Sequence, residues 1–217
     1  MTAASSPAGG AGVATARGTR LPRSARRAQL LGAAREVFVA QGYHAAAMDD
    51  IAERAGVSKP VLYQHFPGKR ELYLALVVEH TEELQQAVGA ALTSTADNKE
   101  RVAATLGVYF AFIDSRSEAF RLVFESDLAN DPEVRELLDQ VTIGCARMFS
   151  GVIEEDTGLS RPEAELLAVA LAGMAQVSAR YWLRTGRQVP REAADHLIAQ
   201  LAWRGIRGFP SNPVRVG

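Results

Sequence analysis

Hydrogen-bond donors are concentrated in one segment of the chain, SKPVLYQHFPGK, which contains no carboxylate. A hydroxyl, an imidazole N–H and an ammonium all bind phosphate oxygens, and Tyr63, His65 and Lys69 supply them. Lysine pairs with guanine and glutamine with adenine in the major groove, which suits Lys59 and Gln64 to reading bases. These residue types predict a surface that binds double-stranded DNA. The residues that we expect to contact DNA are Arg26, Arg27, Ala47, Ser58, Lys59, Pro60, Val61, Tyr63, Gln64, His65 and Lys69.

The local pattern predicts two short helices joined by a sharp turn. Ile51 and Ala55 share one face of the first helix, which Gly56 should end. Ser58 can then cap a second helix by accepting a backbone N–H, and Pro60 suits its first turn because no donor is needed there. This is helix-turn-helix geometry, in which the second helix enters a major groove about 12 Å wide. Two ordinary surface helices are the alternative, and the donors on the outer face favour the first interpretation.

A longer helix should precede this pair and complete a three-helix head. Ser24 can cap that helix, and Gly42 should end it. We expect its apolar face to pack on Ile51, Leu62 and Phe66 of the two shorter helices. That face consists of Leu30, Leu31, Ala34, Val37 and Phe38.

The sequence resembles the DNA-binding domain of TetR-family transcriptional regulators over IAERAGVSKPVLYQHFPGK and the preceding LLGAAREVFVAQGYHAAAMDD. The resemblance runs without a gap from about Arg26 to Leu76, and the GVS, LYxHF and final Lys pattern carries it. Within the family, the sequence resembles the actinobacterial fatty-acid-synthase regulators beyond the DNA-binding domain as well. These regulators share SKPVLYQHF and, later in the chain, stretches like FRLxFE and SARYWL. The resemblance implies a regulator that binds a palindromic operator as a dimer, with a body whose ligand moves the recognition helices.

Two positions depart from the family pattern. Ala45, Ala46 and Ala47 stand where the family usually has Thr or Ser, so a cap worth about 1 kcal/mol and a phosphate-binding hydroxyl are both missing. Any phosphate contact at Ala47 must then come from its backbone N–H. Gly68 takes the place of the Ser that commonly caps the helix beginning at Lys69.

The composition is that of a soluble globular protein, with 217 residues, 47% hydrophobic and 23% charged. Residues 1–80 hold ten Lys or Arg against six Asp or Glu, and residues 81–217 hold fourteen against nineteen, so the parts carry +4 and −5. A basic head on an acidic body suits binding of nucleic acid through the head. The single cysteine, Cys145, excludes an internal disulfide and fits the cytoplasm. Its neighbours suggest a buried small side chain; a catalytic thiol is the alternative, but no Cys/His signature surrounds it.

Start and stop signals predict an all-α protein with about nine helices. Together with the resemblance, they imply a helix-turn-helix head on a larger ligand-binding and dimerisation body. The regions are a disordered basic arm (1–22), the helix-turn-helix DNA-binding domain (23–68), the helical ligand-binding and dimerisation domain (69–210) and a disordered tail (211–217). A helix from Lys69 to about Leu92 is the only covalent link between head and body. Later helices should begin near Asp97, Ser117, Asp131, Ser160 and Pro190. The arm is either solvated or lies in the minor groove or along phosphates.

Aromatic and methionine side chains recur at helical spacing in the body. A packed core is the ordinary interpretation, whereas the scarcity of charge on these inner faces also allows an apolar cavity for a lipophile. The resemblance points to a long-chain acyl-CoA as the effector ligand, and we expect no metal and no cofactor. The expected pocket residues are Leu106, Tyr109, Phe110, Ile113, Phe120, Phe124, Leu128, Val141, Cys145, Met148, Phe149, Met174, Val177 and Tyr181.

One body helix, from Arg161 to Arg184, is apolar on nearly every side and must be covered on every side. Its own chain covers one side, and a second copy of the chain is the economical cover for another. A homodimer is also required geometrically, because two recognition helices must reach major grooves about 34–36 Å apart. The expected interface residues are Arg180, Trp182, Leu197, Leu201, Trp203 and Ile206.

A helical enzyme or lipid carrier is the rival class. The histidines, at positions 44, 65, 80 and 196, are scattered, and the chain has no Glu-x-x-His pair, phosphate-binding glycine loop or nucleophile elbow. We therefore expect no enzymatic activity. An acyl-CoA carrier without specific DNA binding is the other alternative, and it leaves the +4 head unexplained.

Overall fold

The structure is a computed structural model that describes residues 21–115 and 131–206. These two ranges contain eight α-helices and no strand. In chain order the helices are α1 (Arg23–Ala45), α2 (Met48–Arg54), α3 (Lys59–His65), α4 (Lys69–Thr93), α5 (Asn98–Ser115), α6 (Pro132–Thr157), α7 (Arg161–Arg184) and α8 (Arg191–Ile206). The predicted all-α fold is confirmed. The helix expected to begin at Ser117, nearly all of the arm and the tail lie outside the described residues.

The predicted capping residues act at several helix ends. Asp131 accepts two backbone N–H groups from the first turn of α6, at 2.9 and 3.3 Å. Gly158 ends α6 with a φ of 68°, which glycine adopts readily because it has no Cβ. At the start of α7, Glu163 accepts the backbone N–H and the hydroxyl of Ser160 at 2.8 and 2.6 Å. These contacts satisfy backbone groups that a helix terminus leaves without partners.

The first helix differs from its prediction at both ends. α1 begins at Arg23, after Pro22, and the first helical bond runs from Arg26 N–H to the Pro22 carbonyl at 2.9 Å. Ser24 therefore lies inside α1, and its prediction as the cap is wrong. Gly42, with a φ of 78°, interrupts the helix where the end was expected, and one more turn follows to Ala45.

The head is built on the predicted apolar faces. The expected inner residues of α1 are buried together with Ile51 of α2, Leu62 of α3 and Phe66, which follows α3. Leu72 and Tyr73 from the first turns of α4 belong to the same cluster. The head is therefore anchored to the helix that leaves it for the body.

The body is a bundle of α4 to α8. α6 packs along α7, α5 packs along α8, and α4 contacts both α5 and α6. The buried centre between these helices includes the rings of Phe110 and Trp182, whose centroids lie 5.7 Å apart. Burial of such rings is a large part of the stability of a helical body.

A second, non-covalent connection joins the head to the body. Arg70, in the first turn of α4, pairs with Asp131 at 3.0 Å and with Glu133 at 2.6 Å, at the start of α6. The next residue, Val134, is 1% exposed and belongs to the buried cluster of the head. The start of α6 is thus held on the head, while the rest of α6 lies in the body.

Candidate DNA-binding surface and ligand cavity

The turn after α2 presents α3 as an exposed helix. Gly56 adopts a φ of 64° in this turn, and Val57 N–H donates to the Ala52 carbonyl at 3.0 Å. Leu62 and Phe66 are buried beneath α3 and fix its inner face. The outer face carries Lys59, Pro60, Tyr63 and Gln64, which are exposed, with Val61 and His65 half-buried beside them. The structure therefore brings the predicted base-reading and phosphate-binding residue types onto one helix.

Ser58 occupies the predicted N-cap position of α3, but its hydroxyl makes no capping hydrogen bond. Only the Ser58 carbonyl acts within the helix, where it accepts the N–H groups of Val61 and Leu62 at 3.0 and 3.3 Å. The prediction of a side-chain cap is wrong. The exposed hydroxyl is instead open to a phosphate oxygen at the N-terminus of the recognition helix.

A carboxylate that the sequence pattern did not bring to notice lies beside Lys59. Asp49 of α2 accepts a hydrogen bond from the Lys59 ammonium at 2.5 Å, and this bond and its charge raise the pKa of Lys59. Both side chains are mostly exposed, so the pair is weak and Lys59 can exchange it for a base or a phosphate. Asp49 escaped notice because it precedes the carboxylate-free interval and reaches α3 only through the fold.

Ala47 precedes α2 and is exposed, but its N–H already has a partner. Asp50 accepts that N–H through a long hydrogen bond of 3.4 Å. A phosphate at this position would have to displace the bond and would meet the negative charge of Asp50. The structure therefore argues against the predicted phosphate contact at Ala47.

Lys69 has a different environment from the one predicted. Its ammonium donates to the carbonyl oxygens of Tyr43, His44 and Ala46 at 2.8, 3.1 and 2.9 Å. It also lies 4.6 Å from the centre of the Tyr43 ring. An ammonium has three donors, and all three are used here. In this structure Lys69 joins the start of α4 to the end of α1, and a phosphate could bind its ammonium only by displacing one of these carbonyl oxygens.

The two arginines predicted to contact DNA lie in the first turns of α1. Arg26 donates to Gln29 at 2.7 Å, and Gln29 in turn donates to the Ala55 carbonyl at 2.8 Å. The Arg27 guanidinium lies 4.4 Å from the centre of the Phe66 ring. Both positive charges are therefore placed next to the turns that frame α3.

An apolar cavity of about 90 Å³ lies inside the body, walled by α4 to α8. Of the predicted pocket residues, it is lined by Leu106, Tyr109, Cys145, Phe149 and Met174. The other lining residues are Leu84, Val88, Val102, Thr105, Thr142, Leu171, Ala172, Ala175, Gln176 and Ala202. The sequence interpretation missed these residues because it was built around aromatic and methionine side chains and added only a few aliphatic ones. The spacing of Leu84 and Val88, and of Leu171 and Ala175, would have indicated the same inner faces.

Several predicted pocket residues lie elsewhere. Phe110 and Ile113 are buried in the core outside the cavity wall, and Met148 packs at the α4 surface near Gly89. Val177 and Tyr181 are 66% and 60% exposed, so their assignment to the pocket is wrong. The face of α7 that carries them is exposed to solvent and does not pack on the other helices of the body. Phe120, Phe124, Leu128 and the side chain of Val141 lie outside the described residues.

The environment of Cys145 is that of a wall residue rather than a nucleophile. Burial raises the pKa of its thiol to about 11, so the thiol is protonated at neutral pH. A nucleophilic cysteine needs a lowered pKa, which a neighbouring cation or a helix N-terminus supplies. Burial likewise raises the pKa of the Tyr109 hydroxyl. Both groups therefore stay neutral in the cavity.

The predicted dimer residues divide into two groups. Leu197 and Leu201 of α8 are 57% and 59% exposed, as expected for a surface awaiting a partner. Trp182 is 6% exposed and its indole N–H donates to the Val189 carbonyl at 2.6 Å, so the structure contradicts its assignment to the interface. Arg180 and Trp203 are half-buried, and the Nε of Arg180 is turned inward rather than toward solvent. The side chain of Ile206 is not among those described.

In the described ranges no three or more His, Cys, Asp or Glu residues are grouped so that they could hold a metal ion. Over the same ranges, α7 alone is long and apolar enough to cross a membrane. A single such helix is weak evidence for a span, because a core helix passes the same test.

A helix-turn-helix head with an exposed second helix, joined to a helical body that encloses an apolar cavity, defines the class of ligand-responsive DNA-binding proteins. A family model described as bacterial regulatory proteins, tetR family, matches residues 30–76. The HTH-type transcriptional activator FasR of Mycolicibacterium smegmatis is 46% identical over 204 residues, covering 94% of this chain and 91% of FasR. The chain therefore belongs to the TetR family of transcriptional regulators, and it is a regulator rather than an enzyme.

Solved structures share the fold over most of the chain. A TetR-like transcriptional regulator from Rhodococcus sp. RHA1 has a TM-score of 0.68 at 27% identity, covering 87% of this chain and 100% of that one. FadR from Bacillus subtilis, solved in complex with stearoyl-CoA, has a TM-score of 0.67 at 19% identity. That match covers 81% of this chain and 96% of FadR, and at this identity it shows a common fold.

Proposed function

We propose that this regulator binds a palindromic operator as a homodimer in the cytoplasm and controls genes of fatty-acid metabolism in response to a long-chain acyl-CoA. The observation that carries the proposal is the apolar cavity, because α4 and α6, which wall it, both also contact the head. The likeness to FasR and the stearoyl-CoA complex of FadR support the choice of effector. Residues 23–68 serve as the DNA-binding domain and residues 69–210 as the ligand-binding and dimerisation domain.

Recognition of DNA is assigned to α3. Gln64 pairs with adenine and Lys59, after leaving Asp49, with guanine, while Pro60 or Val61 meets a thymine methyl. Ser58, Tyr63, His65, Arg26 and Arg27 hold phosphates and set the register. Specificity then depends on a few side chains of one short helix, whose position the buried Leu62 fixes.

The dimer is supported by an exposed apolar surface on the last two helices, which we call the α7/α8 face. It consists of Leu166, Val177 and Tyr181 of α7 and Leu197 and Leu201 of α8, all more than half exposed. Large apolar side chains exposed on two successive helices mark an interaction site. A second copy of the chain is the occupant that also gives two recognition helices for two half-sites.

The cavity must widen to hold its ligand. Pockets that enclose drug-sized ligands measure roughly 300–1,000 Å³, well above the 90 Å³ observed here. An acyl chain therefore separates the helices that wall the cavity, and α6 is one of them. Because the start of α6 is held on the head by Arg70 and Val134, such a movement changes the position of the head. The ligand acts by binding one arrangement of the heads more tightly than the other.

The direction of control is proposed from FasR, which is named a transcriptional activator. In this scheme the ligand-free dimer binds the operator and activates transcription, and acyl-CoA releases it. A reporter gene placed downstream of the operator would fall in expression when the regulator gene is deleted.

The first test is selection of bound sequences from a random duplex pool at two salt concentrations, with the wild type and with Gln64→Ala. We expect the wild type to recover one inverted repeat with half-sites one helical turn apart. Gln64→Ala should lose preference at one base pair in each half-site, worth roughly 1–3 kcal/mol. Palmitoyl-CoA added to the recovered duplex should release the wild-type protein.

Two results would contradict the proposal. Weak, strongly salt-sensitive enrichment without a motif would mean that the head supplies only phosphate attraction. The body would then be better described as an acyl-CoA carrier. Recovery of a motif that palmitoyl-CoA never releases would keep the regulator and exclude this effector.

A further inference from the structure

An unused hydroxyl lies in the wall of the cavity. Thr105 of α5 lines the cavity and is 6% exposed, and its Oγ1 has no hydrogen-bond partner. Helical threonines commonly donate to a carbonyl of the preceding turn. Thr81, Thr93 and Thr157 do so in this protein, at 2.8, 3.1 and 2.5 Å. The Thr105 hydroxyl makes no such hydrogen bond. A buried hydroxyl without a partner is unfavourable unless a ligand supplies one.

A second unused donor lies near the same wall. The Nε of Arg180, on α7, is buried and makes no hydrogen bond. Its positive charge acts on the hydroxyl of Tyr109, which lines the cavity one helical turn beyond Thr105. Arg180 in turn lies one turn beyond Gln176, another lining residue, whose amide donates to Thr142 at 2.7 Å. Two buried donors without partners therefore belong to this part of the body: the Thr105 hydroxyl in the cavity wall and the Arg180 Nε next to the lining residues Tyr109 and Gln176.

The chemistry of these groups selects the ligand atom. A guanidinium can only donate hydrogen bonds and keeps its charge in proteins, so its partner must be an acceptor. A hydroxyl can donate to the same acceptor. An oxygen that carries negative charge or a strong dipole satisfies both donors, whereas an alkyl group satisfies neither. Cys145 and Tyr109, both neutral, add no competing charge to the site.

We propose that Thr105 and Arg180 form a polar subsite that binds the acyl oxygen at the head of a long-chain ligand. The apolar wall then takes the alkyl chain. The proposal rests on the proposed function, in that it takes this cavity to be the effector site. The oxygen belongs either to the thioester carbonyl of an acyl-CoA or to the carboxylate of a free fatty acid, since both present the same kind of acceptor.

The test is calorimetric titration of the full-length dimer with three ligands of equal chain length. Palmitoyl-CoA has the carbonyl and the CoA group, palmitate has the carboxylate alone, and S-hexadecyl-CoA is the thioether without the carbonyl. Thr105→Val keeps the shape of the side chain and removes the hydroxyl. Thr93→Val, on the exposed end of α4, is the matched control.

We expect Thr105→Val to weaken binding about five- to tenfold for the ligand whose oxygen enters the subsite, in line with the loss of one buried hydrogen bond. Weaker binding of palmitoyl-CoA by Thr105→Val would show that the thioester carbonyl occupies the subsite. Weaker binding of palmitate would show that the carboxylate occupies it. Binding of S-hexadecyl-CoA should not change. Thr93→Val should bind all three ligands as the wild type does.

Arg180 is tested by Arg180→Met and Arg180→Lys, with sedimentation confirming that each variant keeps the wild-type oligomeric state. We expect the methionine variant to lose affinity for the oxygen-bearing ligand and the lysine variant to recover part of it. Equal affinity of Arg180→Met and wild type would remove Arg180 from the subsite.

Two outcomes with Thr105→Val would overturn the subsite: equal loss with all three ligands, which reports a general change in packing, or no loss with any. If palmitoyl-CoA binds the wild type normally and Thr105→Val changes nothing, only the subsite fails. If none of the three ligands binds the wild type, the proposed effector class fails and the subsite fails with it.

Discussion

The ammonium of Lys69 lies among three carbonyl oxygens at the end of α1, and this contact illustrates how the head is held together. The last carbonyl groups of a helix have no partners within that helix. A half-buried ammonium at this position satisfies several of them at once and complements the negative end of the helix dipole. Lys69 therefore fixes the direction in which α4 leaves the head.

We predict that Lys69→Met lowers the free energy of unfolding by about 1–2 kcal/mol, because hydrogen bonds to a charged donor are lost and the carbonyls are left unsatisfied. Thermal unfolding followed by circular dichroism measures the effect. Lys59→Met is the control, since its exposed pair with Asp49 contributes little to stability while its loss should weaken DNA binding. Wild-type stability of Lys69→Met with a uniform loss of DNA affinity would favour the phosphate role instead.

At the scale of the helices, α6 connects the cavity to the head. Thr142, Cys145 and Phe149 of α6 line the cavity, while its first residues contact Arg70 and the core of the head. α4 also contacts both sites, because Leu84 lines the cavity and Leu72 is buried in the core of the head. Two helices that meet both sites give a ligand in the body a direct means of moving the head.

We predict that Arg70→Met weakens this connection and reduces the effect of acyl-CoA on operator binding, while the affinity for acyl-CoA itself stays within about twofold of wild type. Asp131 still caps α6 in this variant, so the helix is preserved. Operator binding measured by fluorescence anisotropy, with and without palmitoyl-CoA, gives the coupling. Arg161→Met, which breaks an exposed pair within α7, is the control. Full release of Arg70→Met from the operator by palmitoyl-CoA would show that the ion pairs do not transmit the signal.

The ion pair between Arg70 and Asp131 has a defined pH dependence. The hydrogen bond from Arg70 is the main reason that the pKa of Asp131 is lowered, with the backbone N–H groups of α6 adding to it. A lowered pKa in the folded state stabilises the fold above the unfolded value of about 3.9, and that contribution is lost as pH falls through the lower folded value. We therefore expect the response to acyl-CoA to be independent of Asp131 titration between about pH 5.5 and 8, measured by the same anisotropy assay. A response that declined within this range in the wild type and not in Asp131→Asn would contradict this.

For the whole molecule, the exposed apolar residues of the α7/α8 face determine the expected assembly. Leu201 is 59% exposed and Leu197, one turn earlier, is 57% exposed. We predict that Leu201→Glu dissociates the dimer, because it places a charge where apolar surface must be buried. Analytical ultracentrifugation should then show a monomer, and operator affinity should fall at least tenfold because only one half-site is bound at a time.

Ile143→Glu is the control for this prediction, since Ile143 is also exposed but lies on α6 outside the α7/α8 face. It should remain a dimer with wild-type affinity for the operator. A dimeric Leu201→Glu together with a monomeric Ile143→Glu would move the interface from α7 and α8 to α6.

Local chemistry determined most of the fold. The caps at Asp131 and Ser160, the glycine stop at position 158 and the 3.6-residue spacing of α1 and α5 all act over a few residues. They can therefore be read from the sequence without knowledge of the fold. The same holds for the exposed face of α3, because its chemistry and its burial pattern occur within seven residues.

The sequence by itself therefore established a helical regulator with a DNA-binding head, the residue types of its recognition helix and the apolar character of its body. Only the tertiary structure decided which side chains meet across helices. It placed Lys69 on carbonyls, Asp49 beside Lys59, Trp182 inside the core and Thr105 in a cavity wall. The physical reason is that a helical pattern tells which side of a helix is apolar but not which neighbour covers that side, and hydrogen bonds between distant residues depend on that packing.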